Sequence, residues 1–262
     1  MDKNSVKQFY EASNDRLKTF GGGEYDLSQL LSIKGLKSWL SKHRDSNLNI
    51  ADVGCGKGIF LRDFTDVLAH QYQMNFHKVG MDLVKSSNHV LDEQHVEFIQ
   101  TDFDGTQLPL EDNSVDIITC NHVLEHIFYT ENLIQEFKRI IKPNGICIIS
   151  VPNLSAWINR LFLLFSIQPL GCEVGANSID YGLWLPYFKK HVNNLGVGAA
   201  GHLRSFTPRS LQDIVENSGG GGGKKSLKTI GWWNQDAIRV FRLTKWAGRG
   251  IGIIVVPVES RF

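Results

Sequence analysis

Apolar residues fall in two rhythms along this chain. Short, nearly continuous apolar runs alternate with stretches where apolar positions return every three or four residues. The first rhythm is that of buried strands, the second that of helices packing one face. Residues 50–53 (IADV), 77–82 (HKVGMD), 96–101 (VEFIQT), 115–120 (VDIITC) and 146–151 (ICIISV) predict five strands. Val6, Phe9, Tyr10 and Leu17 predict one face of a first helix, and Leu27, Leu30, Leu31, Trp39 and Leu40 a second, capped by Asp26. Ile59, Phe60, Phe64, Val67 and Leu68 carry a third helix to about residue 71, and residues 84–91 a further short one. Leu133, Ile134, Phe137, Ile140 and Ile141 mark the buried face of another, closed by a turn at Lys142-Pro143-Asn144-Gly145. Strands alternating with helices in this way predict an α/β fold, with a doubly wound and mostly parallel sheet. The apolar run over 115–120 belongs at its centre.

Beyond residue 153 the pattern changes. Residues 156–167 (AWINRLFLLFSI) read as an apolar, aromatic helix too short to span a bilayer. Such a helix packs on the core or roofs a site, receives an apolar acceptor, or meets another copy. Residues 171–200, with Tyr181, Trp184, Tyr187 and Phe188, form an insertion of a length that usually serves function. Thr207 followed by Pro208 is a helix start. A glycine run over 219–223 has linker composition and obscures the entry to a strand over 227–233. Residues 237–246 read as a basic helix, with either a solvated face or a contact with anionic lipid, and 251–258 (IGIIVVPV) as the last strand.

Composition narrows the partners. The 262 residues suffice for a sizeable core, and a net charge of +1 leaves no general footprint for nucleic acid. Four cysteines without a CxxC pair exclude a zinc ribbon or a thioredoxin-like motif. Cys55, Cys120 and Cys147 fall in or beside predicted strands, where cysteine acts as a small apolar residue. With a polar start (MDKNSVKQ), these features predict a reducing, cytoplasmic setting.

The chemistry concentrates around residues 49–60, NIADVGCGKGIF. Strand, glycine turn and helix follow one another, the arrangement that brings backbone close to a nucleotide. Gly54, Gly56 and Gly58 do not match the dinucleotide spacing, because Ile59 stands where its third glycine would be. Asp82 ends the second strand beside that turn, where it either accepts hydrogen bonds from both ribose hydroxyls or caps the next helix. Asp102-Phe103 ends the third strand, with Asp102 facing an adenine amino group or forming a turn. Asn121-His122-Val123-Leu124-Glu125-His126-Ile127 follows the fourth strand, at the carboxyl edge where open α/β sheets bind ligands.

Taken in order, Asp52 before GxGxG, Asp82, Asp102-Phe103, the NHVLEHI segment and IKPNG resemble the class I S-adenosylmethionine-dependent methyltransferases over about residues 49–153. The group resembled includes the ubiquinone/menaquinone and sugar-pathway enzymes, and HLRSFTPRSL (202–211) is similar to a segment of the latter. The resemblance implies a Rossmann-like seven-stranded sheet with an antiparallel last strand. It divides the chain into an N-terminal helical lid (1–45), a cofactor core (46–153), an acceptor-site insertion (154–206) and a C-terminal completion of the sheet (207–262). It also implies that Asp52, Gly54, Cys55, Gly56, Gly58, Asp82, Leu83, Asp102, Phe103, Asn121 and His122 bind S-adenosylmethionine, which leaves as S-adenosylhomocysteine. Asp52 would turn toward the cofactor's amino group.

The cofactor supplies an electrophilic methyl, so the protein has to align it with the acceptor and exclude water. A hydroxyl or activated-carbon acceptor must also lose a proton, for which His122, His126 and His202 are the candidates, with Glu125 a further one. Tyr10 and Arg204 are candidate acceptor contacts. Glu125-His126 is similar to the pair with which quinone-pathway O-methyltransferases bind a divalent cation. The earlier Glu of that pattern is absent, its region held by Asn121 and His122, and no metal is expected. The expected reaction is methylation of a small or carrier-linked acceptor, at oxygen first and otherwise at carbon of a quinone-like ring, with a peripheral membrane contact left open. The rivals are a cofactor-binding module without catalysis and a nicotinamide oxidoreductase. Against the latter stand the glycine spacing and the lack of a Tyr-x-x-x-Lys motif.

Overall fold

The computed structural model describes residues 27–85, 90–175, 181–182, 201–218, 225–235 and 250–259. The expected first helix with Tyr10, the cap Asp26, the glycine run, the basic helix over 237–246 and most of the aromatic insertion lie outside these residues. The elements run α1 (Leu27–Leu31), α2 (Lys34–Lys42), β1 (Asn47–Val53), α3 (Ile59–Tyr72), β2 (Asn75–Asp82), α4 (Val90–Glu93) and β3 (Glu97–Gln100). They continue with β4 (Val115–Asn121), α5 (Thr130–Ile140), β5 (Ile141–Pro152), α6 (Trp157–Leu164), α7 (Pro208–Asn217), β6 (Lys225–Gln235) and β7 (Gly250–Glu259).

One seven-stranded sheet organises them, in the order β3-β2-β1-β4-β5-β7-β6. The first five strands are parallel, and β7 runs antiparallel to both β5 and β6. The chain winds outward from β1 to β3, then returns to lay β4 against β1. The carboxyl ends of β1 and β4 therefore flank the switch point, where such sheets hold ligands. Side chains alternate across the sheet. Along β4, Ile117 enters one cluster with Phe60, Phe64 and Leu68 of α3, while Ile118 and Cys120 enter the other with Leu133, Phe137 and Leu211 of α5 and α7.

The helices follow from local sequence. At α7, Thr207 Oγ1 accepts the Ser210 amide while Ser210 Oγ accepts the Thr207 amide, a capping box with Pro208 at the first helical position. The second expected helix is broken at Ser32-Ile33 into α1 and α2. Leu36 and Leu40 are fully buried against the sheet, and Trp39 Nε1 donates to Asn144 O at 2.7 Å. Residues 27–42 thus form the helical cover. Residues 142–145, read as a plain turn, bulge out of β5: Val115 pairs with Ile141 but Ile117 with Ile146. Of the helix expected over 84–91, residues 86–89 lie outside the described residues, and α4 takes up Val90–Glu93. Cys55, Cys120 and Cys147 are buried free thiols, and no helix among the described residues is long and apolar enough to cross a membrane.

Candidate functional site

The turn after β1 is built by backbone geometry that glycine tolerates. Gly54, Gly56 and Gly58 have φ of +77°, +50° and +74°. The amides of Gly54 and Cys55 both donate to Met81 O, at 2.8 and 3.0 Å, tying the turn to β2. A Cβ on Gly54 would lie 2.1 Å from Val123 Cγ2, and one on Gly58 2.4 Å from Leu91 Cδ2. A Cβ on Gly56 would meet nothing within 4 Å. Two of the glycines are therefore needed for packing, and the middle one faces open space.

Two carboxyls act on Cys55 of this turn. Asp52 is 3% exposed, and its Oδ1 accepts from Thr119 Oγ1 at 2.6 Å. Burial pushes its pKa up to about 7, against the Thr119 bond and with help from Asp82. Asp82 accepts the Gly56 amide at 2.8 Å on Oδ2 and the Leu83 amide at 2.7 Å on Oδ1. Its carboxyl is also raised by burial, against those backbone bonds. Burial, Asp52 and Asp82 push the Cys55 thiol up, which keeps it neutral. Asp102 Oδ1 accepts the Asp104 amide at 3.0 Å, a bond within the local turn, and Phe103 is buried in the core.

The second half of the site starts where β4 ends. Asn121 Oδ1 accepts from Ser150 Oγ at 2.7 Å, and its buried Nδ2 has no partner among the described residues. His122 adopts φ +57°, a left-handed conformation rare for a side-chain-bearing residue. Its Nδ1 lies 3.2 Å from Glu125 Oε1. Glu125 is 1% exposed, and its Oε2 has no partner among the described residues. Burial alone would raise the Glu125 carboxyl, but the His122 bond and the charges of His122 and His126 lower it overall. Burial lowers His126 despite Glu125, with His202 adding to the lowering, so its imidazole is neutral near pH 7.

Residues 201–204 close over this turn. Glu125 O accepts the amides of Leu203 and Arg204 at 2.7 and 3.0 Å, and Leu154 N donates to Phe206 O at 2.8 Å beside the end of β5. His126 Nδ1 lies 3.3 Å from Gly201 O, and its ring centroid is 4.9 Å from that of His202. His202 Nδ1 lies 3.1 Å from Gly171 O and 3.7 Å from Glu173 Oε1. Glu173 Oε2 accepts the Gly201 amide at 2.8 Å. Arg204 donates to Phe128 O at 2.9 Å and stacks its guanidinium 5.1 Å from the Phe128 ring centroid. A ligand atom from each of Glu125, His126 and His202 lies within 4.8 Å of the others. The structure thus brings the three candidate histidines to one edge of the sheet, and Asp52, Asp82 and the glycines to the turn beside it.

Sequence reasoning passed over Thr119, Ser150 and Glu173. The first two had a signal: each is the lone hydroxyl in an apolar strand, VDIITC or ICIISV. Glu173 had none, because its partners stand 28 and 29 residues away along the chain.

Residues 51–149 match a family model described as a methyltransferase domain. An uncharacterized methyltransferase of Mycolicibacterium gilvum is 32% identical over 40% of this chain and 39% of its own length. The ubiquinone biosynthesis O-methyltransferase of Histophilus somni is 30% identical over 47% of this chain and 50% of its own. A ubiquinone/menaquinone biosynthesis C-methyltransferase of Campylobacter jejuni is 25% identical over 56% and 60%. The chain thus spans about half the length of these curated relatives. The PH0226 protein of Pyrococcus horikoshii superposes with a TM-score of 0.55 at 14% identity, over 95% of this chain and 99% of that one. The [4+2]-cyclase SpnF superposes at 0.50 and 17%, over 88% and 74%. These likenesses establish the fold.

Proposed function

We propose that this chain, whose residues 51–149 match a methyltransferase domain, is a class I S-adenosylmethionine-dependent enzyme that transfers a methyl group to oxygen of a small or carrier-linked acceptor. The open space over Gly56, beside Asp82, carries the cofactor reading. It admits a ligand where any side chain would intrude, and the turn with Asp52 and Asp82 offers two carboxyls to a ligand bearing an amino group and ribose hydroxyls. Asn121 Nδ2, buried and without a partner among the described residues, offers a donor to the same ligand. These residues fit S-adenosylmethionine. When bound, that cofactor supplies a methyl made electrophilic by its sulfonium. The chain's own part is to orient it: Asp52 toward the amino group, Asp82 toward the ribose, and the turn amides along its polar edge.

Oxygen is favoured by the convergence of His122, His126 and His202 at the carboxyl end of β4, where an acceptor hydroxyl can lose its proton. Relatives named for O- and for C-methylation both occur, so carbon of a quinone-like ring is the second reading. Trp157, Leu161, Leu164 and Phe165 of α6 and the residue after it are exposed, the last two at 75% and 66%. That stripe supports an apolar or lipid-linked acceptor and a peripheral membrane contact.

Calorimetric titration of the full chain with S-adenosylmethionine, S-adenosylhomocysteine and NADH tests the reading. Micromolar affinity for the two adenosyl compounds and none for NADH is expected, followed by turnover with a hydroxylated acceptor. Binding without turnover on any phenol, sugar or quinol would favour the non-catalytic module, and binding of NADH would overturn the proposal.

A further inference from the structure

The cluster at the mouth of the site holds more ligating chemistry than methyl transfer requires. Glu125 Oε2 is buried without a partner among the described residues, in a carboxylate that is 1% exposed. A buried charged oxygen of this kind is costly unless something pairs with it. Both histidines beside it are oriented by carbonyls. A carbonyl oxygen can only accept, so Nδ1 of His126 toward Gly201 O and Nδ1 of His202 toward Gly171 O must each carry the proton. The lone pair of each neutral ring then sits on Nε2. A carbonyl or carboxylate behind the far nitrogen is the support that metal-ligating histidines use, and Glu173, 3.7 Å from His202 Nδ1, adds the carboxylate.

We infer that Glu125, His126 and His202 form a binding site for a divalent transition-metal ion. One ligand atom of each lies within 4.8 Å of the others. Tetrahedral ligands about 2.1 Å from an ion stand about 3.4 Å apart, so no pair has to close by more than about 1.4 Å, a movement within reach of side-chain rotation. Two imidazoles and one carboxylate suit zinc, cobalt or iron rather than magnesium, which prefers an all-oxygen shell. The set differs from the quinone-pathway pattern noted in the sequence. The earlier acid of that pattern is replaced in the region of Asn121 and His122, and the third ligand comes from the 201–206 segment, which two backbone bonds to Glu125 O hold against the turn. Three protein ligands leave a coordination position open for a ligand oxygen. The metal site stands without the proposed function; only the identification of that oxygen with the acceptor hydroxyl rests on it, and with His126 and His202 as ligands the acceptor's proton falls to His122.

The test uses the full chain, stripped of metal with chelator and titrated with Co2+, following visible d–d absorption and calorimetric heat. Saturable binding with the intense bands of a low-coordinate site is expected. His202→Ala and Glu125→Gln should each weaken it at least about tenfold, with circular dichroism unchanged. His77→Ala, which removes an exposed imidazole paired with Glu97, should leave it unaltered. Absence of the bands in the folded wild-type chain, or equal bands in wild type and both variants, would overturn the inference. The same samples are titrated with S-adenosylmethionine. A wild-type chain that binds the cofactor but not cobalt refutes the metal site alone, and one that binds cobalt but not the cofactor refutes the cofactor reading alone.

Discussion

Asp52 shows how one buried carboxyl links stability to ligand binding. Its folded pKa of about 7 lies above the ordinary 3.8. The folded state therefore holds a proton that the unfolded chain releases between these values. The penalty for ionising it is absent below pH 3.8, grows as pH rises and is complete above 7, where it reaches about 4 kcal/mol. Asp52→Asn keeps an acceptor for Thr119 and removes the charge, so its melting temperature should exceed wild type at pH 8 and converge with it toward pH 4. A constant gap across that range in paired thermal melts would contradict the assignment. A cationic ligand group requires the ionised form. Wild-type affinity for S-adenosylmethionine should fall about tenfold per pH unit below 7 and level off above it, while the Asn variant binds weakly with a flat profile. Asp82→Ala should cost roughly 1.5–3 kcal/mol of cofactor affinity in calorimetry. Unchanged affinity would leave Asp82 only its bonds to Gly56 and Leu83. Both acids were legible because each stands at the end of an apolar run. Glu173 was not, since its role exists only once residues 171–173 and 201–202 are folded together.

At the scale of the element, the glycine turn separates packing from binding. Gly54→Ala places a methyl 2.1 Å from Val123 Cγ2 in a backbone conformation with φ +77°, so it should destabilise the fold by several kcal/mol. Gly56→Ala pays only the left-handed strain of about 1–2 kcal/mol, since its Cβ meets nothing within 4 Å. It should melt slightly below wild type yet lose cofactor affinity far out of proportion, because the methyl occupies the ligand's space. Equal affinity of Gly56→Ala and wild type in calorimetry would remove the ligand from that space. The spacing of the three glycines was plain in the sequence; which one faces a ligand was not, because that depends on Val123 and Leu91 from elsewhere in the chain. The same limit hid the break at Ser32-Ile33 and the outward loop at 142–145, where tertiary contacts such as Trp39 to Asn144 override a continuous local pattern.

Across the whole molecule, the sheet is a wall shared by two apolar clusters. Strand alternation sends Ile117 to one and Ile118 to the other, so neither cluster can be lost without exposing the other's backing. Phe64 on α3 and Phe137 on α5 lie on opposite faces, each fully buried. The apolar pattern located both helices, and the parallel order of five strands followed from the alternation of helix and strand. Phe64→Ala and Phe137→Ala should each cost about 3–5 kcal/mol. Because the wall is common, each variant should still unfold in a single transition, with far-UV and near-UV circular dichroism changing together. A biphasic melt in one variant, with one cluster lost before the other, would show that the two faces fold as separate units. The carboxyl-edge site, which takes Asp52 from β1 and His126 from the turn after β4, would then depend on whichever face failed first.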